Sequence, residues 1–106
     1  MGDVRARIDA LDEQLVALLA DRLGLIRRAA ELKNAPQDAR VPWRVEQVAA
    51  NVRARAAAVG FDPDAAERIW RAMMEECIAF EERRLSAREN VALKNVALKN
   101  IAPSNA

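Results

Sequence analysis

The chain contains no histidine, a single cysteine, three glycines and only 4% aromatic residues among its 106 residues. Without histidine, Ser-His catalysis, the usual general base and most zinc sites are excluded. The single cysteine, Cys77, excludes an internal disulfide and is typical of a protein in the reducing cytoplasm. Any chemistry must therefore use arginine, lysine, carboxylate or backbone groups, and we expect a cytoplasmic protein.

Long hydrophobic runs and a strong net charge are also missing. No segment approaches the roughly 18 consecutive apolar residues of a membrane span, and the start of the chain has no apolar signal core. The net charge is +1, so we expect neither nucleic acid nor a membrane as a partner. The remaining composition, 52% hydrophobic and 31% charged, is typical of a single soluble helical domain.

The first segment, roughly from Val4 to Lys33, has the pattern of one long amphipathic helix, with Asp3 as its N-cap. Apolar residues recur there at steps of three and four: Ile8, Leu11, Leu15, Leu18, Leu19, Ile26 and Ala30. A helix of this length spans about 45 Å, too long to bury its apolar stripe against the rest of one chain. A partner helix from a second chain is the simplest solution.

Two further helices are predicted after a loop over residues 34–42, which contains two prolines. The second helix is expected at about Trp43–Val59, ended by Gly60. The pair Asp62–Pro63 provides an N-cap and a first-turn proline for the third helix, expected to reach about Glu89. The sequence therefore predicts an all-α chain of three helices.

A five-residue sequence, VALKN, occurs twice in succession at residues 91–100. Two copies are too few for a repeat fold. We expect a helical domain over residues 1–90 and an appended tail over residues 91–106, which either prolongs the third helix or frays.

Cations lie on the apolar stripe of the first helix. Arg22 and Lys33 are eleven residues apart, so in one helix they share a face within about 20°. Arg5 lies seventeen residues before Arg22, or about 25 Å along the same axis. If both arginines bind one small dianion, Arg5 must come from a second chain. The alternative is that these cations are at the surface, with only their aliphatic parts covered.

The third helix carries a carboxyl group, Glu81, beside its apolar stripe, four residues after Cys77. Desolvation favours the protonated form of such a group, so we expect it to donate a hydrogen bond near neutral pH. The alternative is a glutamate at the rim that pairs with Arg84 or Arg22. Arg44 begins the second helix, where a cation is unfavourable unless an anion is nearby, and a salt bridge to another helix is the simpler explanation.

Several of these segments together resemble the all-helical chorismate mutase family. The likeness covers roughly residues 4–85 and is carried by Val4–Asp12, Leu18–Arg22, Lys33, Arg44 and Trp70–Glu81. The spacing from Lys33 to Arg44 and on to Gly60 most resembles the branch of the family that contains isochorismate pyruvate lyase.

The resemblance implies an intertwined homodimer of three-helix chains, with two sites shared between the subunits. Arg5 would reach the partner's site, and Arg22 and Arg44 would bind the carboxylates of the substrate. Lys33 would meet the ether oxygen whose bond breaks, and Arg22, Lys33 and Glu81 would have catalytic roles. Glu81 stands where many members have glutamine, aimed at the same oxygen.

The implied activity is that of chorismate mutase, an isomerase that converts chorismate to prephenate in phenylalanine and tyrosine biosynthesis without cofactor or metal. Two substrate-binding positions depart from common mutases. Val45 stands where many have a glutamate that contacts the substrate hydroxyl, and Cys77 replaces a frequent serine. The open alternatives are isochorismate pyruvate lyase, which yields salicylate and pyruvate, a mutase for 4-amino-4-deoxychorismate, and a non-catalytic helical dimerisation module.

Overall fold

A computed structural model describes the backbone of residues 1–101 and the side chains of residues 1–98. Within that range the chain forms three α-helices and one short 3₁₀-helix, and no strand is present. The predicted all-α class is confirmed. The chain divides into two compact units, Met1–Leu32 and a second unit that begins at Lys33. No helix in the described part of the chain is long and apolar enough to cross a membrane.

The first unit is a single helix, α1, over Gly2–Glu31. It begins two residues earlier than expected, so Asp3 lies in the first turn and pairs with Arg7 at 3.6 Å instead of capping the helix. The helix also ends two residues earlier than expected: Leu32 is its C-cap, and Lys33 lies outside it. The prediction that Lys33 continues the helical face of Arg22 is therefore wrong.

The segment between α1 and α2 folds as a 3₁₀-helix over Pro36–Ala39. The carboxylate of Asp38 accepts hydrogen bonds from the backbone N–H groups of Asn34 (3.3 Å) and Ala35 (3.1 Å). This arrangement satisfies donors that a loop otherwise leaves to water. The residues that directly follow Lys33 therefore have a defined conformation.

The second helix, α2, covers Pro42–Ala58 and begins with its proline in the first turn. It ends as the sequence predicts, at Gly60, which has a φ of +77°. The N–H of Phe61 bonds to the carbonyl of Ala56, and the N–H of Gly60 bonds to that of Ala57. These two bonds form a Schellman motif, whose left-handed position favours glycine.

The third helix, α3, covers Pro63–Ile101, and Asp62 caps it by accepting a hydrogen bond from the N–H of Asp64. The helix continues beyond the expected end near Glu89 and through both copies of the repeat, which agrees with the alternative that the repeat prolongs the third helix. Residues 64–101 contain neither glycine nor proline, and the repeat is rich in the strong helix formers alanine, leucine and lysine. The tail residues 102–106 lie outside the described residues.

The second unit has its own core between α2, α3 and the 3₁₀-helix. Small and large apolar side chains are buried there: Ala39, Ala49, Ala56, Ala66, Met74, Ile78 and Leu85. The alanines allow the helix backbones to approach closely. Ile78 and Leu85 pack with Ala39, and Val45 covers this cluster from α2. The cluster surrounds the part of α3 that carries Glu81.

Candidate active site

The centre of the candidate site is an ion pair between Lys33 and Glu81. The Lys33 Nζ lies 2.8 Å from Oε2 and 3.1 Å from Oε1 of Glu81, so the ammonium group donates to both oxygens. The two residues are 48 positions apart, one in the segment after α1 and the other in the middle of α3. The structure therefore brings together two of the residues that the sequence analysis selected.

Glu81 is the charged residue that is buried among the described side chains, with 3% of its surface exposed. Ile78 and Leu85 flank it one turn away on the same face of α3. A carboxylate in an apolar setting is very unfavourable unless a cation or hydrogen-bond donors meet it. The Lys33 ammonium group meets this requirement and is itself only partly exposed.

Lys33 is also bound through its backbone. The guanidinium Nη2 of Arg88, on α3, donates a hydrogen bond to the carbonyl oxygen of Lys33. The sequence analysis did not select Arg88. Its spacing of seven residues from Glu81 places both on one face of the helix, but this spacing alone does not identify the carbonyl of Lys33 as its acceptor.

Arg44 and Val45 lie at the start of α2. Arg44 Nη1 donates to Oε1 of Gln47 at 2.6 Å, one turn along the same helix, rather than to a carboxylate of another helix. Val45 is half-buried and packs against the Ala39, Ile78 and Leu85 cluster. Val45 therefore provides apolar surface, and its side chain has no polar group that could contact a ligand.

Cys77 lies one turn before Glu81 on α3 and is half-buried. It therefore lies near the ion pair along the helix.

Arg84 is one of the partners that the sequence allowed for Glu81. Its guanidinium carbon lies 5.8 Å from the centre of the Phe80 ring, which is a cation–π distance.

Arg5 and Arg22 both lie in α1, which is one uninterrupted helix from Gly2 to Glu31. Arg5 is exposed and Arg22 is half-buried. Their separation of seventeen residues corresponds to about 25 Å along the axis. One chain therefore does not bring these two arginines together at a small ligand.

Outside the candidate site, a network of ion pairs joins α2 to α3. Arg71 pairs with Glu46 and Glu67, each at 2.7 Å, and Arg53 pairs with Glu67 at 2.9 Å and with Asp64 at 2.8 Å. Hydrogen bonds from Arg71, and then from Arg53, lower the pKa of Glu67 below its ordinary value. This network stabilises the helix pair.

A further ion pair joins the residue after the 3₁₀-helix to α3. Both guanidinium nitrogens of Arg40 donate at 2.7 Å to the two carboxylate oxygens of Glu75. The hydrogen bonds from Arg40 lower the pKa of Glu75. A bidentate pair of this type fixes orientation as well as distance.

Chemically, the site offers one ammonium donor held against a buried carboxylate. Within the part of the chain that the structure describes, no group of three or more histidine, cysteine, aspartate or glutamate side chains is placed to hold a metal ion. The contacts found are those suited to binding and stabilising an oxygen that gains negative charge.

No solved structure is significantly similar to the chain. Its sequence matches the family model of chorismate mutase type II over residues 4–82. The match includes every residue from Arg5 to Glu81 that the sequence analysis placed in the site, and it covers most of the chain. The chain belongs to the chorismate mutase type II family.

Proposed function

We propose that this protein is a chorismate mutase, which rearranges chorismate to prephenate in the biosynthesis of phenylalanine and tyrosine. Membership of the family supports chorismate mutase-type activity, that of an isomerase, at the level of the family. The observation that carries the finer proposal is the family match, because it covers the complete set of proposed site residues. The buried Lys33–Glu81 pair supports it.

The rearrangement is pericyclic, so it needs neither a nucleophile nor a general base. The protein must hold the substrate in a compact chair-like conformation, which is catalysis by orientation. It must also stabilise the charge that separates as the C–O bond stretches, with negative charge on the ether oxygen and the enolpyruvyl group. Hydrogen-bond donors fixed before the reaction achieve this at no cost in reorganisation.

Lys33 is the proposed donor to the ether oxygen. Its ammonium group has three hydrogens, and in the free chain Glu81 accepts bonds to both of its carboxylate oxygens from this group. A bound substrate oxygen would add a further acceptor at the same nitrogen. Because the position of the nitrogen is already set by Glu81, little side-chain entropy is lost when substrate binds.

Glu81 is the proposed second donor, and this role requires a proton because an ionised carboxylate only accepts. The Glu81→Gln variant carries an amide that donates without an added proton, so it should keep most of kcat/KM, whereas Glu81→Ala should lose it. The measurement is kcat/KM of the two variants and of the original protein. If Glu81→Gln loses as much as Glu81→Ala, Glu81 acts only as the acceptor that holds Lys33.

Arg5 and Arg22 are the proposed ligands of the two substrate carboxylates, with Arg44 as an additional contact. Guanidinium groups bind carboxylates with two parallel hydrogen bonds, which lysine does not reproduce. Since about 25 Å of α1 separates Arg5 from Arg22, a small substrate meets Arg5 of one chain and Arg22 of another. The proposed enzyme is therefore a homodimer with shared sites.

The exposed apolar stripe of α1 supports this dimer. Leu11, Leu15 and Leu18 each expose more than half of their side-chain surface in the single chain. Burying a leucine contributes about 1.5–3 kcal/mol, so a stripe of several provides a strong drive for association. Two α1 helices from two chains would cover each other's stripes.

A second candidate function, pyruvate elimination from isochorismate, is favoured by Val45. The apolar side chain packs on the core and gives no polar group to a substrate hydroxyl. The lyase branch that the sequence resembles is apolar at this position, whereas many mutases have glutamate there. The same absence of a hydroxyl contact would also admit the 4-amino analogue of chorismate.

The decisive experiment is incubation of the purified protein with chorismate and with isochorismate in separate reactions. A mutase forms prephenate from chorismate, whereas the lyase forms salicylate and pyruvate from isochorismate. The aminated analogue provides a third reaction. Conversion of none of the three would favour a non-catalytic dimerisation module and would refute the proposed function.

A further inference from the structure

The two ends of Lys33 are bound by one helix. Its ammonium group donates to Glu81, and its backbone carbonyl accepts a hydrogen bond from the guanidinium group of Arg88. Both partners belong to α3, although Lys33 precedes them by 48 and 55 residues. The segment that carries Lys33 is thus attached to α3 by main chain and by side chain.

The spacing of the two partners makes this attachment rigid. Glu81 and Arg88 are seven residues apart, which is two helical turns, or about 10 Å, with an offset of only about 20°. Leu85 lies between them on the same face and is 2% exposed. The middle of this face is therefore packed into the core, which fixes the helix backbone that carries both anchoring residues.

Lys33 needs such an attachment because it is not itself part of a helix. The residue follows the C-cap of α1, so its carbonyl is not part of a helical hydrogen-bond ladder. Its side chain has four rotatable bonds and carries about 2 kcal/mol of rotamer entropy. An ion pair at the end of this side chain fixes the position of the Lys33 Nζ only if the backbone of Lys33 is fixed too.

We propose that Arg88 is a positioning residue: by holding the backbone of Lys33, it keeps the ammonium group where it acts on the substrate. This inference rests on the proposed function for its catalytic consequence. Arg88 touches no reacting atom in this arrangement and acts through Lys33. A charged donor suits the task because hydrogen bonds from a guanidinium group are stronger than those between neutral groups.

The kinetic test compares Arg88→Ala with Arg83→Ala, a matched control that removes another exposed arginine of α3. Arg88→Ala should lower kcat about tenfold and leave KM nearly unchanged, because the donor acts mainly in the transition state. Arg83→Ala should match the original protein. Arg88→Lys should recover part of the lost kcat, because lysine also donates to a carbonyl. An unchanged kcat in Arg88→Ala, or an equal loss in Arg83→Ala, would overturn the proposal.

A double-mutant cycle separates positioning from simple stabilisation. In a Lys33→Ala background the backbone carbonyl of residue 33 is still present. Arg88→Ala should therefore lower the unfolding midpoint by the same amount in this background as in the original protein. The ammonium group is absent, however, so Arg88→Ala should cause no further loss of kcat. A further tenfold loss in that background would show that Arg88 acts independently of Lys33.

A third measurement does not depend on the reaction. Labelling with an amine-acylating reagent, followed by peptide mass spectrometry, reports how well the Lys33 amine is held by Glu81. Labelling of Lys33 should be several-fold faster in Arg88→Ala than in Arg83→Ala. If labelling rises but the original protein converts no chorismate, the attachment stands and the proposed function fails. If labelling does not rise, the attachment itself is refuted.

Discussion

The two units of the chain differ in where their apolar surface lies. In α1, Leu15 and Leu18 expose 54% and 62% of their surfaces. In the second unit, Ile78 and Leu85 are 7% and 2% exposed, and the unit has ion pairs on its flank. The second unit therefore has the contacts of a folded core in one chain, whereas the apolar stripe of α1 is exposed and is the proposed dimer interface.

This difference separates the two halves of the proposed chemistry. The proposed donor to the ether oxygen, Lys33, is held by two groups of the second unit, the carboxylate of Glu81 and the guanidinium group of Arg88. The proposed carboxylate ligands, Arg5 and Arg22, lie on α1, the helix that carries the proposed dimer interface. Assembly should therefore control substrate binding, while the Lys33–Glu81 pair should form whether or not the partner is present.

The largest expected effect is from a charge placed on the α1 stripe. Leu15→Glu should convert the dimer to a monomer, because burying a carboxylate in an apolar interface costs more than the lost leucine contributed. Activity should fall below detection, since Arg5 can no longer reach a partner's site. Analytical ultracentrifugation and a chorismate assay measure the two effects.

The matched control for that variant is Ala17→Glu. Residue 17 lies on the opposite side of α1 from the stripe, so the same charge is added to the same helix without entering the interface. This variant should stay dimeric and active. A monomer from Ala17→Glu, or an active dimer from Leu15→Glu, would contradict the assignment of the interface to the stripe.

The next largest effect is expected from Lys33→Ala. It should lower kcat by about 100- to 1000-fold, the size observed when one preorganised donor to a developing negative charge is removed. The variant should stay dimeric, because the change lies in the second unit. Lys94→Ala, at an exposed position of α3, is the control. Retention of full activity in Lys33→Ala would remove the lysine from the proposed mechanism.

The sequence predicted the helices well because their signals are local. The proline and glycine positions, the cap at Asp62 and the repeating apolar steps all act within one or two turns. The ends of α1 and α3 were less predictable. Nothing in the composition marks Leu32 as a C-cap, and the VALKN repeat has high helix propensity but no apolar face that indicates packing.

The candidate site was only partly predictable, since its contacts join residues far apart in the chain. The sequence selected Lys33 and Glu81 separately, and the structure shows them as partners. The reason given for Lys33, a shared helical face with Arg22, was wrong, because the helix ends before it. Arg88 was missed, since a backbone carbonyl as acceptor leaves no trace in the sequence of the residue that provides it.

A smaller effect should appear in acid, from the ion-pair network of the second unit. The hydrogen bonds that lower the pKa of Glu67 stabilise the fold above its ordinary value of 4.5, and this contribution is lost as the pH falls through the lower folded value. Glu67→Gln should therefore reduce the urea midpoint at pH 7 but lose less on acidification to pH 3. Glu89→Gln, which changes an exposed glutamate of α3, is the control. Equal acid losses in the two variants would exclude a special role for Glu67.

The smallest effect is expected from removal of residues 91–106. The apolar side chains Val91, Leu93, Val96 and Leu98 are each more than half exposed, and the end of α3 that carries them gains little stability without packing. The shortened protein should remain dimeric, with an unfolding midpoint within about 2 °C of the original and an unchanged kcat. A second truncation that ends at Ala87 also removes Arg88 and should lower kcat as Arg88→Ala does. If both truncations lower kcat, the tail itself supports the site. If neither lowers kcat, Arg88 does not support the site, and Arg88→Ala should then also keep its kcat.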